Sequence, residues 1–380
     1  MKKLRIIQVV GDKSIGGASR HVLLLSQNLI KRGHTLKIIM PYGSVAKLFR
    51  LKGLDVNEVS MRSYFDRRSD TRIRQIMQEF KPDLVHCHGT YSGWLGRLAA
   101  RKLPKIALVY TEHLWTKDYH FSNSIYENVH LRGLQLMDRF TDVTIAVSQS
   151  VKNFLSKNKI IPASKIIIVP NMLDPKFRKY TIYQKPKGVP PIIGSVGSIN
   201  VQKGIPVLVQ ALKDLEHQKP ELQWRCQIIG SGPMADSVKK MVSKLGLEKR
   251  IVVKERVDDI VETMRHFSYY VQASRSESFG ISVIEAMSLG IAPIVTNRGA
   301  LPEIVDHMAT GVVVPYGRPD KLVAALMKLM DDEELRTTLG EAARCEVKRK
   351  YSCKQVTDRI EKVYYQALEK RRFKNRTYIK

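Results

Sequence analysis

The chain has 380 residues, 43% of them hydrophobic, which suits two domains that each bury a core. Its four cysteines show no CxxC spacing, and no apolar run approaches the ~20 residues that cross a bilayer, so a zinc ribbon, a disulfide framework and a membrane-spanning helix are all disfavoured. A net charge of +28, densest in residues 1–180 where 31 basic residues face 13 acidic ones, favours an anionic partner: a nucleic acid, an anionic membrane face or a phosphorylated substrate.

The chain opens on LRIIQVV (4–10), a buried-strand pattern with no leader pattern before it, so the expectation is a protein without a secretory signal. The glycine-containing stretch GDKSIGGAS (11–19) follows. A helical pattern then runs from about Arg20 to Lys31, with Val22, Leu25, Leu29 and Ile30 as core positions and Gly33 placed to end it. HTLKIIM (34–40) is the next strand. Further apolar runs at DLVHCH (83–88), IALVYTEH (106–113), VTIAVS (143–148) and KIIIVP (165–170) alternate with segments of helical length. Buried strands separated by helices predict a parallel sheet covered on both faces.

The pattern breaks at NMLDPKFRKYTIYQKPKGVPP (171–191), which holds four prolines and reads as a connection between domains. It restarts with PIIGSVGS (191–198), WRCQIIGSG (224–232), RIVVKER (250–256), YYVQAS (269–274), APIVT (292–296) and GVVVP (311–315). The prediction is α/β: a first Rossmann-like domain over 1–174, a linker over 175–190, a second doubly wound domain over 191–355, and a C-terminal helix with a basic tail over 356–380 that packs back on the first domain. If the strand ends of the two domains face a central cleft, one site takes residues from both.

The most informative window is ASRSESFGISVIEAMSLGIAPIVT (273–296). Ser278, Phe279 and Gly280 open a helix from Ile281, and its free backbone N–H groups and partial positive charge suit a phosphate. Glu277 precedes that helix and Glu285 lies within it. At ~100° per residue the eight-residue spacing leaves the two carboxylates about 80° apart, so both can face one ligand through sugar and ribose hydroxyls. On residues alone, a solvated or first-turn role for each glutamate stays equally open.

The block ESFGISVIEAMSLGIAPIV resembles the E-x7-E signature of the retaining glycosyltransferases of family 4, which have the GT-B fold of two Rossmann-like domains. GGASRHVLLLSQNLIKRGH (16–34), PDLVHCH (82–88), YTEH (110–113), PNMLD (170–174), VGSINVQKG (196–204), IIGSGP (228–233) and GALPEIV with TGVVVP (299–315) extend the resemblance over nearly the whole chain. The resemblance implies that Glu277 contacts the transferred sugar and that Ser278, Phe279 and Gly280 offer backbone N–H groups to the donor. It implies Glu285 on the ribose, Lys203 on the diphosphate, Gly16 and Gly17 against the diphosphate, and His113 near the sugar and acceptor. Catalysis would then rest on Glu277, Lys203 and His113, with no metal and no cofactor, the nucleotide sugar being a substrate. Ser198 stands where the family often has an arginine. Serine can still hydrogen-bond a phosphate, and Arg275 or Arg256 is a candidate for the missing charge.

His86 and His88 flank Cys87 on a strand, and with no third ligand in the sequence they read as structural rather than as a metal pair. Arg62, Arg67, Arg68, Arg72 and Arg74, interleaved with Tyr64 and Phe65, could rest on an anionic membrane near a lipid-linked acceptor. A solvated loop and helix face is the plainer reading of the same residues, and the favoured one.

The resulting expectation is a cytoplasmic enzyme, peripheral on the inner face of the cell membrane if the basic surface docks there. It moves a hexose or N-acetylhexosamine from a nucleotide-diphosphate sugar, preferably a UDP-sugar, to a hydroxyl acceptor in surface polysaccharide or glycolipid synthesis. Three rivals remain: an epimerase or phosphorylase on the same fold, a nucleotide-sugar-binding homologue without turnover, and a nucleic-acid binder. No nucleic-acid-binding motif supports the last.

Overall fold

The computed structural model describes residues 2–12, 16–64, 66–89, 91–120, 124–180 and 188–377. The chain divides into two compact units. One comprises Met1–Trp115, His120–Met172 and Cys353–Lys380, the other Thr116–Tyr119 and Leu173–Ser352.

In the first unit the chain alternates strand and helix: β1 (Arg5–Val9), α1 (Gly17–Lys31), β2 (Thr35–Met40), α2 (Ser44–Leu51), β3 (Val56–Glu58), α3 (Arg67–Phe80), β4 (Leu84–His88), α4 (Tyr91–Ala100), β5 (Ala107–Glu112), α5 (Ser124–Asp138), β6 (Val143–Ala146), α6 (Gln149–Lys157) and β7 (Ile166–Ile168). The sheet runs β3-β2-β1-β4-β5-β6-β7 and every pairing is parallel. All residues of β4, β5 and β6 are buried, as inner strands covered on both faces require. Helix α1 buries Val22, Leu25 and Leu29 along one stripe. Ile30, expected in the core, is 41% exposed, because one step of ~100° past Leu29 carries it off that stripe. Gly33 ends the turn with φ +86°, the left-handed region glycine enters without a Cβ clash. Strand β3 is three half-buried residues, too short to show a pattern in the sequence.

The second unit contains β8 (Ile192–Val196), α7 (Ile205–Gln218), β9 (Arg225–Ile229), α8 (Ala235–Lys244), β10 (Ile251–Lys254), α9 (Ile260–Arg265), β11 (Tyr269–Gln272), α10 (Ile281–Ser288), β12 (Pro293–Thr296), α11 (Leu301–Ile304), β13 (Val312–Val314), α12 (Pro319–Asp331) and α13 (Glu333–Lys350). Its parallel sheet runs β10-β9-β8-β11-β12-β13. Leu208, Leu212, Ile228, Val271, Ile294 and Leu326 are among the residues of its core. The stretch expected as a linker begins with a 3-10 turn, Pro175–Lys179, that buries Phe177 and is capped by the Asp174 carboxylate. Residues 181–187 lie outside the described residues.

The last helix, α14 (Cys353–Thr377), returns to the first unit. Val356, Ile360, Val363, Tyr364 and Ala367 join a core with Leu4, Ile6, Leu25 and Leu29. The basic tail is anchored there: Arg371 and Lys374 lie 2.7 and 3.1 Å from the fully buried Asp142 carboxylate. Among the described residues no helix is long and apolar enough to cross a membrane.

Each sheet has one place where strand order reverses. In the first it lies between β1 and β4, in the second between β8 and β11. Loops leaving the C-terminal ends of such neighbouring strands diverge to opposite faces, which opens a crevice for a ligand.

Candidate functional site

In the second unit the loops after β8 and β11 carry most of the residues singled out in the sequence. The loop after β8 must turn tightly. The Gly197 N–H donates to Ile229 O at 2.9 Å, and a Cβ on Gly230 would stand 1.8 Å from Gly197 O, with Gly230 at φ +153°. Only glycine tolerates that approach. A 3-10 turn, Val201–Lys203, follows, capped by Asn200, whose Oδ1 accepts from the Lys203 N–H at 3.2 Å. Gly204, at φ +62°, then starts α7.

The loop after β11 is tied to this turn. The N–H groups of Arg275 and Ser276 both donate to Gln202 O, at 2.8 and 3.2 Å. The Lys203 Nζ therefore reaches Glu277 Oε2 at 2.5 Å. The Glu277 carbonyl in turn accepts the Ala300 N–H at 2.8 Å, and Gly299 passes so close that a Cβ there would lie 2.0 Å from that carbonyl. Glu277 is 8% exposed and Glu285 3%. Both carboxylates lie near the buried Tyr270 phenol, whose pKa is raised chiefly by burial, lowered by a hydrogen bond with Ser282, and raised further by the charges of Glu285 and Glu277.

The geometry corrects one expectation. Helix α10 starts at Ile281, and Gly280 before it sits at φ +105°, so the 277–285 interval is not helical throughout. The eight-residue angle count does not apply; the glycine turn sets the relation of the two glutamates. Phe279 is buried against Tyr351, ring centroids 5.5 Å apart, which fixes the turn, while Ser278 is half-buried. Ser198 is exposed, and so are Arg275 and Arg256, the two candidates for the missing positive charge. An ammonium, a buried carboxylate and a helix N-terminus at one strand-order reversal can bind a phosphate ester that also carries hydroxyl groups.

In the first unit Gly16 caps α1 and Gly17 is its first residue. Nothing lies within 4 Å of where a Cβ on Gly16 would stand. His113, just past β5, is 9% exposed, and burial lowers its pKa to about 4, so its imidazole is neutral at pH 7. It belongs to a buried group of histidines. His113 Nε2 lies 3.4 Å from His88 Nδ1, and His88 Nε2 lies 3.0 Å from Gln8 Oε1. His86 contacts Tyr364 Oη at 2.8 Å and Thr111 Oγ1 at 2.6 Å. These contacts account for His86 and His88 as structural groups. Asp12, which sequence reading passed over, is pushed up to about 6 by burial, against a backbone hydrogen bond from Ser19. Of the basic stretch, Arg62, Arg67, Arg68 and Arg72 are exposed, and Arg74 is half-buried 4.0 Å from Asp70. Tyr64 turns inward instead: its hydroxyl meets His130 Nδ1 at 2.8 Å and its ring abuts Trp94. Phe65 lies outside the described residues.

Residues 15–177 match the family model Glycosyltransferase Family 4, and residues 178–346 match Glycosyl transferases group 1. This chain belongs to glycosyltransferase family 4. The enzyme is 25% identical over 370 residues to N-acetyl-alpha-D-glucosaminyl L-malate synthase of Bacillus anthracis, covering 93% of this chain and 95% of that protein. It is 28% identical to a subunit of the phosphatidylinositol N-acetylglucosaminyltransferase of Arabidopsis thaliana, covering 97% and 83%. Among solved structures, Anabaena HepE in complex with UDP-glucose superposes with a TM-score of 0.82 at 20% identity, covering 95% and 99%. A glycosyltransferase from Rickettsia africae superposes with a TM-score of 0.81 at 22% identity, covering 97% and 99%. The fold of the glycosyltransferase is GT-B, and it acts on nucleotide sugars.

Sequence reading missed the support beneath Glu277. Tyr270, Gln272 and Ser274 follow one another at alternate positions of the β11 strand and its exit, all buried. Polar residues recurring with period two in a central parallel strand are the signal that could have found them.

Proposed function

We propose that this glycosyltransferase moves a hexose or N-acetylhexosamine, with retention of configuration, from a UDP-sugar to a hydroxyl acceptor in surface polysaccharide or glycolipid synthesis. The observation that carries the reading is the Lys203–Glu277 pair at the strand-order reversal of the second sheet. Lys203 turns to the diphosphate and meets the charge that grows on the leaving group, electrostatic assistance worth about 10²–10³ in rate for a single well-placed donor. Glu277 accepts hydrogen bonds from the hydroxyls of the transferred sugar, Glu285 from the ribose, and the N–H groups around Ser278, Phe279 and Gly280 approach the donor. For Gly16, Gly17 and the neutral His113 the proposed roles toward the diphosphate, the sugar and the acceptor rest on the family resemblance.

The acceptor oxygen bonds to the anomeric carbon as the bond from that carbon to the phosphate oxygen breaks. The acceptor proton passes to the departing diphosphate, which keeps the bond-breaking electrons. The reading needs no metal and predicts full turnover in EDTA. The UDP preference is supported by HepE, which was solved with UDP-glucose, and the N-acetylhexosamine by the two relatives named for it. The exposed arginines Arg62, Arg67, Arg68 and Arg72 support contact with the anionic inner face of the cell membrane.

A thermal-shift screen with UDP, GDP, ADP and their sugars, without added metal, tests the reading. A rise with UDP that disappears in Glu285→Ala supports it. A folded sample that responds to none of them sinks it.

A further inference from the structure

Strand β11 is central, and its two faces differ. Tyr269, Val271 and Ala273 enter the apolar core. Tyr270, Gln272 and Ser274 face the other way and are 0%, 1% and 0% exposed. Three polar side chains in a row on a buried face cost about 1–3 kcal/mol each unless they are hydrogen-bonded. Here they bond to one another.

The Gln272 amide sets the directions, because its oxygen only accepts and its nitrogen only donates, and the Tyr270 hydrogen goes to the nearer of its two acceptors, Gln272 Oε1 rather than Val196 O. The Tyr270 hydroxyl donates to Gln272 Oε1 at 2.7 Å. The Gln272 amide Nε2 donates to Ser274 Oγ at 2.7 Å. Ser274, having accepted, directs its own hydrogen at Glu277 Oε2, 3.5 Å away. Every donor points the same way, and the row ends on a carboxylate, which can only accept. Two side contacts brace it: Ser282 Oγ lies 3.4 Å from Gln272 Oε1, and Thr296 Oγ1 donates to Ser274 O at 2.5 Å. At its far end the Tyr270 hydroxyl lies 3.3 Å from Val196 O, directly before the Gly197–Ser198 turn.

We infer that Tyr270, Gln272 and Ser274 form a one-way hydrogen-bond relay that positions the Glu277 carboxylate for the transferred sugar. The inference rests on the reading of Glu277 as the sugar-binding carboxylate. Lys203 also grips Glu277 Oε2. A diphosphate draws that ammonium away, and the relay is what then keeps the carboxylate aimed. Aligned donors in a dry interior polarise one another, which strengthens the two 2.7 Å bonds, and the 3.5 Å contact to Glu277 is the long link that a closer approach of the carboxylate would tighten. Burial raises the Tyr270 phenol above its ordinary range, so it stays a donor throughout the physiological window.

The test compares Tyr270→Phe, Gln272→Leu, Ser274→Ala, Ser274→Thr and Glu277→Gln. Each is assayed for release of nucleoside diphosphate from UDP-glucose, UDP-N-acetylglucosamine and GDP-mannose, and for binding of UDP and GDP alone. The relay predicts that Tyr270→Phe, Gln272→Leu and Ser274→Ala each lower kcat/KM for the nucleotide sugar by about tenfold, the effect of one lost hydrogen bond. The Kd of the sugar-free nucleotide stays within about twofold, because it does not engage Glu277. Ser274→Thr keeps its hydroxyl and stays near the parent. Folded variants that retain the parent kcat/KM, or lose nucleotide binding in the same proportion, overturn the relay. If Glu277→Gln itself turns over at the parent rate, the site reading falls instead.

Discussion

Lys203 Nζ stands 2.5 Å from Glu277 Oε2, across 74 positions of sequence. The two residues meet because Lys203 follows β8 and Glu277 follows β11, strands that are neighbours in space at the point where the sheet reverses its order. Each neutralises the other, so under the proposed function a diphosphate at Lys203 takes the place of the Glu277 carboxylate as its counter-charge.

Removing the ammonium should cost catalysis more than stability. Lys203→Met is expected to lower turnover of the nucleotide sugar about 100-fold or more, the usual effect of losing one preorganised charge at a leaving group. The melting temperature should fall only slightly, because the lysine side chain is partly exposed and Glu277 keeps its contact with Ser274. Unchanged turnover in steady-state kinetics would assign the diphosphate to another cation.

Two glycines separate conformation from crowding. Gly299 has φ +57° and its Cβ would stand 2.0 Å from the Glu277 carbonyl, whereas Gly53 has φ +78° with nothing within 4 Å. Gly53→Ala should cost about 1 kcal/mol, the left-handed strain alone. Gly299→Ala adds a backbone clash and should lose several times that, together with activity, since the Glu277 main chain must move. Urea denaturation of both variants checks the ordering.

Acid should destabilise the first unit. Burial lowers His113 and His130 from 6.5 to about 4, and His21 to about 3. Below pH 6.5 the unfolded chain binds protons that the folded chain refuses, so stability is fully present above that pH and is lost as pH falls toward 4. Asp12, whose carboxyl is raised to about 6, and Glu112, raised by burial, oppose this by taking up protons in the folded state first, but they are two groups against five, since burial also holds His86 and His88 well below the usual imidazole range. Urea midpoints at pH 7.5, 6, 5 and 4.5 should decline steadily; a flat profile would mean these histidines accept protons in place.

The C-terminal helix is bonded into the first unit's polar interior through Tyr364. Tyr364→Phe removes the hydroxyl that meets His86 Nδ1 and leaves a buried ring nitrogen without that partner. The expected cost is about 1–3 kcal/mol, read as a lower melting temperature. A shift within error would show that the His86 contact to Thr111 suffices.

If the basic face meets a membrane, replacing Arg67, Arg68 and Arg72 together by alanine should reduce co-sedimentation with phosphatidylglycerol vesicles several-fold. It should leave the unliganded melting temperature unchanged, since Arg67, Arg68 and Arg72 are exposed. Equal sedimentation of parent and variant would remove this surface from the proposal.

Much of the architecture was legible in the chain. Strands such as DLVHCH and VTIAVS announce themselves because inner parallel strands must be apolar or internally satisfied on both faces. The ESFGISVIEAMSLGIAPIV block likewise located Glu277, Gly280 and Glu285. Less was legible where one face decides the outcome: Ile30 reads as core yet is exposed, and Tyr64 reads as surface yet bonds inward to His130. In both cases the sequence carries the residue's hydrophobicity but not the direction its Cβ takes against neighbours far along the chain.

By itself, then, the sequence determined the alternation of elements, the order of the motifs and the chemical types available at the site, because local periodicity and turn chemistry are properties of neighbouring residues. Tertiary structure alone decided that Lys203 closes on Glu277, that Tyr270, Gln272 and Ser274 line up behind that carboxylate, and that α14 lies on β5 and β6. Those relations depend on which strands lie side by side, and strand order is set by packing over the whole sheet, not by any segment of the chain.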